Sequence, residues 1–277
     1  MAFGGNPVFN NNKSFRSQPA GRASTGSATM ANQTQLSSEQ LQELYNQPSA
    51  GPVKTGRMTI DDVIMKTIGC LAVLVVGALI GAAFPILLWV GLIGGLVLGL
   101  VNAFKREPSP ALILAYAALE GLFVGALSGI LEGLYPGIVF QAVMGTLIVF
   151  GVTFALFKSG KVRASPKAMK FFMIAISAYA LFSLVNLGMM MFGATESAWG
   201  LRTDVEIFGI PLGVFIGVLA IGLAAFSLII DFTAIEQGVR NGVPAKYSWT
   251  AAFGLTVTLV WLYVEILRLL AILRGSD

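Results

Sequence analysis

From about residue 58 onward the chain consists of long apolar runs separated by short polar breaks that are often marked by glycine or proline. A helix rising 1.5 Å per residue needs about 20 apolar residues to cross about 30 Å of hydrocarbon. The run from Ile68 to Phe104 carries no charged residue and is too long for one such helix. Pro85 divides it, which predicts helices near 63–83 and 86–104. Pro108 and Pro110 on one side and Tyr135-Pro136-Gly137 on the other bound a third span near 110–131. Further spans are predicted near 137–157, 168–192, 209–232 and 248–271. The pattern predicts an all-α membrane protein, a bundle of seven transmembrane helices.

Residues 1–57 read differently, being rich in Asn, Ser, Gln, Gly and Pro with few large apolar side chains. Such a stretch buries too little surface to offset its ordering entropy, so a disordered polar tail on the cytoplasmic side is expected. One exception is Ser37–Tyr45, where Ser37 or Ser38 is placed to cap a short helix presenting Leu41, Leu44 and Tyr45 on one side. The tail has no early apolar core, so the first hydrophobic helix is expected to act as an uncleaved anchor. Thr59 is a cap for that helix, followed by Asp61 and Asp62 where a helix N-terminus favours negative charge.

Composition sharpens this picture. Only 12% of the 277 residues are charged and 56% are hydrophobic, against about 25% charged in ordinary soluble domains. Histidine is absent, which excludes Ser-His-Asp and Cys-His hydrolysis, His-ligated zinc or haem, and imidazole pH sensing. Any proton chemistry falls to carboxylates. The single cysteine, Cys70, lies in an apolar run and behaves as a small hydrophobe. The net charge of +4 is scattered between hydrophobic runs, which fits a charge bias across a membrane rather than nucleic-acid binding.

That bias gives an orientation. One side collects Lys54, Arg57, Lys66, Lys105, Arg106, Lys158, Lys161, Arg163, Lys167, Lys170, Arg240 and Lys246. The other carries Arg202 and Arg274 among Glu132, Glu196, Asp204 and Glu206. The positive-inside rule then places the amino terminus in the cytoplasm and the carboxyl terminus outside. Glycines at close spacing, Gly91, Gly95 and Gly99 in the second span and Gly121, Gly125 and Gly129 in the third, predict tight packing of those two helices.

Charge at bilayer depth is costly unless paired or hydrated, so ionisable residues inside the spans are the candidates for function. Glu120 lies near the middle of the third span with Tyr116 one turn before it. Asp231 closes the apolar run of the sixth, and Phe232-Thr-Ala-Ile235 continues its helical pattern. Glu265 lies inside the seventh with Arg268 three residues on, a spacing that permits an intrahelical ion pair. At 1.5 Å per residue, Glu120 and Asp231 lie roughly 15 and 10 Å from their cytoplasmic helix ends, whereas Glu265 lies about 24 Å up. A simple hairpin of the last two spans therefore separates Asp231 from Glu265.

The residues Ile229-Ile-Asp231-Phe-Thr-Ala-Ile235 and Leu262-Tyr-Val-Glu265-Ile-Leu267, with Asn6-Pro-Val-Phe9, Met58-Thr-Ile-Asp-Asp62, Lys105-Arg-Glu-Pro-Ser-Pro110 and Thr258-Leu-Val-Trp-Leu-Tyr263, resemble the Bax inhibitor-one family. The resemblance covers the membrane body and is closest to the bacterial YccA-type branch, which implies a bacterial inner-membrane location. It implies a seven-helix bundle with the last helix central, and a pH-sensitive calcium leak channel. In that family two aspartates of the sixth and seventh helices form a proton-sensitive latch. Asp231 matches the first; Glu265 stands at the second as glutamate. The basic latch partner matches Lys105 or Arg106. A deprotonated Asp231 with Glu120 or Glu265 offers hard oxygen ligands of the kind calcium accepts, which makes Asp231, Glu265 and Glu120 the latch and ion-binding candidates, with Asp231 and Glu265 first as calcium ligands and no other cofactor expected.

An intramembrane enzyme is not expected. Rhomboid-type chemistry lacks its histidine, which leaves Ser128 without a base, and the Tyr-Asp and Gly-x-Gly-Asp contexts of aspartyl intramembrane proteases do not occur. The competing reading is a membrane adaptor whose polar tail contacts a membrane protease or another membrane protein.

Overall fold

A computed structural model describes residues 56–160, 162–195, 197 and 199–275. The expected tail and its short helix at Ser37–Tyr45 lie outside the described residues. Seven helices are long and apolar enough to cross a membrane: α1 (Ile60–Ala83), α2 (Leu87–Phe104), α3 (Pro110–Leu134), α4 (Ile138–Lys158), α5 (Pro166–Met191), α6 (Leu212–Arg240) and α7 (Ser248–Gly275). The chain is an all-α, multi-pass membrane protein.

Local chemistry sets several helix ends. Thr59 caps α1, its hydroxyl accepting from the Asp62 amide at 3.1 Å, and Ser165 caps α5 in the same way. Pro110 and Pro166 open their helices, where a missing N–H costs nothing. Gly137 (φ 83°) turns α3 into α4, and the Glu132 carboxylate accepts from the Gly137 and Val139 amides at 2.6 and 2.9 Å. Two boundaries differ from expectation. The sixth span begins later, because residues 206–211 form a two-stranded antiparallel hairpin whose turn residues Phe208 and Gly209 both have positive φ. It also ends later, running through Ile235 to Arg240, so Asp231 lies well inside the helix.

α7 is the most buried span and α5 the least. α7 packs against α1, α3, α4 and α6, so the last helix is the axis of the bundle. The outer faces carry lipid-directed side chains such as Trp89, Leu96, Phe140, Ile174 and Leu184. The predicted α2–α3 packing is present: a Cβ on Gly91 would strike the backbone of α3, and one on Gly99 would press on the Tyr116 ring. An equally close contact joins α1 and α3, where Gly77, Gly81, Gly121 and Gly125 each set bare backbone against the other helix.

Cross-links at the two ends define the faces. At one, Met58 N donates to Val243 O (2.7 Å) and Ala245 N to Gly56 O (2.8 Å), Lys246 bridges to Glu107, and Arg163 and Arg240 both meet Glu236. The Lys246 ammonium holds the Glu107 carboxyl below its ordinary range. At the other, Arg274 donates to Pro136 O and Gln141 Oε1. The first is termed the basic face below.

Candidate functional site

Thr258, Trp261, Glu265 and Arg268 follow one another on α7 at intervals of three and four residues, which aligns them in one stripe along the central helix. The polar chemistry of the membrane interior is arranged along this stripe.

Nearest the basic face is Asp231, fully buried on α6. Its Oδ2 accepts from Thr258 Oγ1 at 2.6 Å. The same hydroxyl lies 3.1 Å from the carbonyl of Gly254, one turn earlier. A hydroxyl has one proton and two lone pairs, so the contact has two forms. An ionised Asp231 receives the Thr258 proton; a protonated Asp231 donates to Thr258, whose proton then turns to Gly254. The geometry accommodates either form of this hydrogen bond between the two innermost helices.

The residue on α7 that meets Asp231 is therefore Thr258. Glu265, which the resemblance sets at that position and the depth estimate sets apart from it, lies seven residues further on, about 10 Å along the helix. Hairpin register is the reason. Asp231 is nine residues before the last residue of α6 and Thr258 ten after the first of α7, so the two stand at equal depth. The connector, closed by bonds to Gly56 and Met58, keeps its 3₁₀ turn, Ala245–Tyr247, directly before α7. Lys105 and Arg106, the expected basic partners, are exposed at the end of α2, whereas Asp231 lies about 14 Å of helix inside α6.

Glu120 projects from α3 into a cavity of about 410 Å³ shared with Tyr116, Ser227, Thr258 and Trp261. The Tyr116 hydroxyl interacts with its carboxylate. Gly95 of α2 makes room for it: a Cβ there would lie 2.6 Å from Glu120 Oε2. Thr258 lines this cavity and bonds Asp231, and Ser227 stands one turn before Asp231. Glu120 and the Asp231–Thr258 pair thus border one space, as their depths predict.

Glu265 belongs to a different cluster. Its Oε1 accepts from Arg268 Nη1 (2.8 Å), Trp261 Nε1 (3.3 Å) and the Tyr179 hydroxyl. The Glu265–Arg268 pair expected from the spacing is present. Arg202, from the four-residue helical turn Leu201–Asp204, reaches in to Tyr179 and Ser183, both at 3.2 Å. These groups line a second cavity of about 390 Å³. Trp261 forms a wall of both cavities. Arg268 is paired with Glu265 and Arg202 lines the same cavity, a cationic setting that makes Glu265 a poor calcium ligand.

Sequence reasoning did not select Thr258, Trp261, Tyr179 or Arg202. Arg202 carried a signal, as a lone cation in an otherwise acidic loop. Among the described residues, no three Asp, Glu or Cys side chains gather as a metal-binding group.

None of the curated proteins compared matches the chain. A model of the family described as Bax inhibitor 1 like matches residues 6–275. With seven membrane-length helices among the described residues, the last of them at the axis, and a family match spanning almost its whole length, the chain belongs to the Bax inhibitor 1 like family.

Proposed function

We propose that the chain is a proton-sensitive calcium leak of a bacterial inner membrane, with its amino terminus in the cytoplasm and the basic face inward. The observation that carries this reading is the pair of cavities along α7, mostly apolar but each lined by an acid, Glu120 in one and Glu265 in the other, with Trp261 a wall of both. In this reading they are successive stations of a path that the indole interrupts. Calcium is taken up by hard oxygen ligands, and Glu120, Thr258 and Ser227 offer these in the inner cavity. A passing cation needs few protein ligands, since retained water completes its shell. Family membership supports the same reading.

In this mechanism Glu120 attracts the cation, Trp261 blocks it, and Asp231 sets the block. Reversal of the Asp231–Thr258 hydrogen bond changes the packing of α6 on α7 at Thr258, three residues before the indole and next to it on the stripe. The test is calcium flux into proteoliposomes. Trp261→Ala is expected to raise flux several-fold and Glu120→Gln to lower it about tenfold. Unchanged flux in both variants would remove the path along α7.

A second reading is favoured by the backbone pairing of residues 56–58 with the α6–α7 connector. The stretch that follows the polar tail is bonded directly to the connector between the two innermost helices. A membrane-protein partner held by the tail would act on Asp231 through that connector, and the protein would serve as an adaptor for a membrane protease or similar complex.

A further inference from the structure

The cavity beyond Trp261 has a charge and hydrogen-bond pattern that the passage of a cation does not explain. Arg202 is 4% exposed, and its guanidinium stacks over Tyr179 and Phe182, each 5.5 Å from the ring centre. Nη2 donates to Tyr179 and Ser183, but Nη1 is buried with no partner. On the same cavity, Glu265 Oε2 is also buried with no partner. Arginine stays charged in proteins, so the described residues lining the cavity comprise two cations, Arg202 and Arg268, and one carboxylate. One positive charge is left over.

A buried guanidinium N–H without an acceptor is unfavourable, because its water partner is lost and not replaced. The group that relieves it must bring an anionic oxygen, and the planar guanidinium fork suits phosphate. The group must also bring a donor, because Glu265 Oε2 is a vacant acceptor. A phosphate carrying its own O–H, or a phosphodiester beside an amine, has both. Sulfate has the oxygens and the charge but no donor. A volume of about 390 Å³ lies within the range of small-ligand sites. Leu187, 52% exposed on the apolar surface of α5, lines the mouth.

We propose that this cavity binds a phosphate group that carries or adjoins a hydrogen-bond donor, with Arg202 and Arg268 holding its oxygens and Glu265 Oε2 accepting its donor. The source is either free hydrogen phosphate or an aminophospholipid headgroup. The test uses the full chain purified in detergent, titrated at constant ionic strength with inorganic phosphate, sulfate or short-chain phosphatidylethanolamine, and read by calorimetry and by thermal unfolding. Saturable binding of phosphate or of phosphatidylethanolamine is expected, with sulfate at least tenfold weaker. Binding by phosphate assigns the free anion; binding by the lipid alone assigns the headgroup. Arg202→Gln is expected to weaken binding at least tenfold. Because Arg202 is buried, Leu187→Trp serves as a second variant that fills the mouth and leaves the polar groups intact, with the same expected loss. No saturable binding by either phosphate probe, sulfate binding as tightly as phosphate, or wild-type binding in both variants would overturn the proposal.

Discussion

Asp231 and Thr258 show how differently two residues can announce themselves. An aspartate in an apolar run is conspicuous, because an unpaired charge cannot remain there. A threonine in a membrane helix is ordinary. Thr67, Thr146, Thr233 and Thr256 all return their hydroxyls to the carbonyl four residues back, and the sequence offers no sign that Thr258 does more. Its second contact, to Asp231, makes it the working partner. Thr258→Val keeps the shape and removes the hydroxyl, leaving the buried carboxylate without this donor. We expect a loss of about 1–3 kcal/mol in unfolding free energy, measured by denaturation in detergent. The pH dependence of calcium flux is expected to flatten in both Thr258→Val and Asp231→Asn. A wild-type pH profile in both would show that the pair does not sense protons.

At the scale of elements, glycine spacing identified α2–α3 packing, yet it could not name every partner. The α3 glycines that were read against α2 meet α1 instead: Gly121 faces Leu74, Gly125 Ala78 and Gly129 Ala82, more than forty residues earlier in the chain. A helix has more than one face, and spacing alone does not say which neighbour each face meets. Gly125→Ala places a methyl against the Ala78 carbonyl of α1, so the helices must separate. We expect destabilisation of about 1–3 kcal/mol. Gly133→Ala, on the same helix with open space around its added Cβ, is expected to be neutral or slightly stabilising. Equal unfolding midpoints for the two variants would refute close α1–α3 contact. Helix ends were legible where a cap or proline marks them, as at Thr59, Pro110 and Pro166. They were less so around α6, where a hairpin replaces the expected first turn and the helix outlasts its apolar run.

At the scale of the whole molecule, α7 at the axis carries Thr258, Trp261, Glu265 and Arg268 past two cavities, so one helix connects both ends of the bundle. The leak and adaptor readings separate here. Deleting residues 1–53 leaves Gly56–Met58 and their bonds to the connector in place. A leak is expected to keep its flux in proteoliposomes, while an adaptor is expected to lose its partner in crosslinking. Lost flux with retained partner would count against both. The sequence by itself determined that the chain spans a membrane seven times, that histidine has no part in its chemistry, and that Asp231, Glu120 and Glu265 are its interior acids. Those follow from counts and periods, because hydrocarbon imposes a length on every helix and a penalty on every charge. Only the tertiary structure decided which groups meet. Asp231 pairs with Thr258 through hairpin register, Glu265 with Tyr179 of α5, and Arg202 enters from a loop. A periodicity gives each residue a face and a depth, but contact requires the rotation and neighbour of every helix, which packing alone fixes.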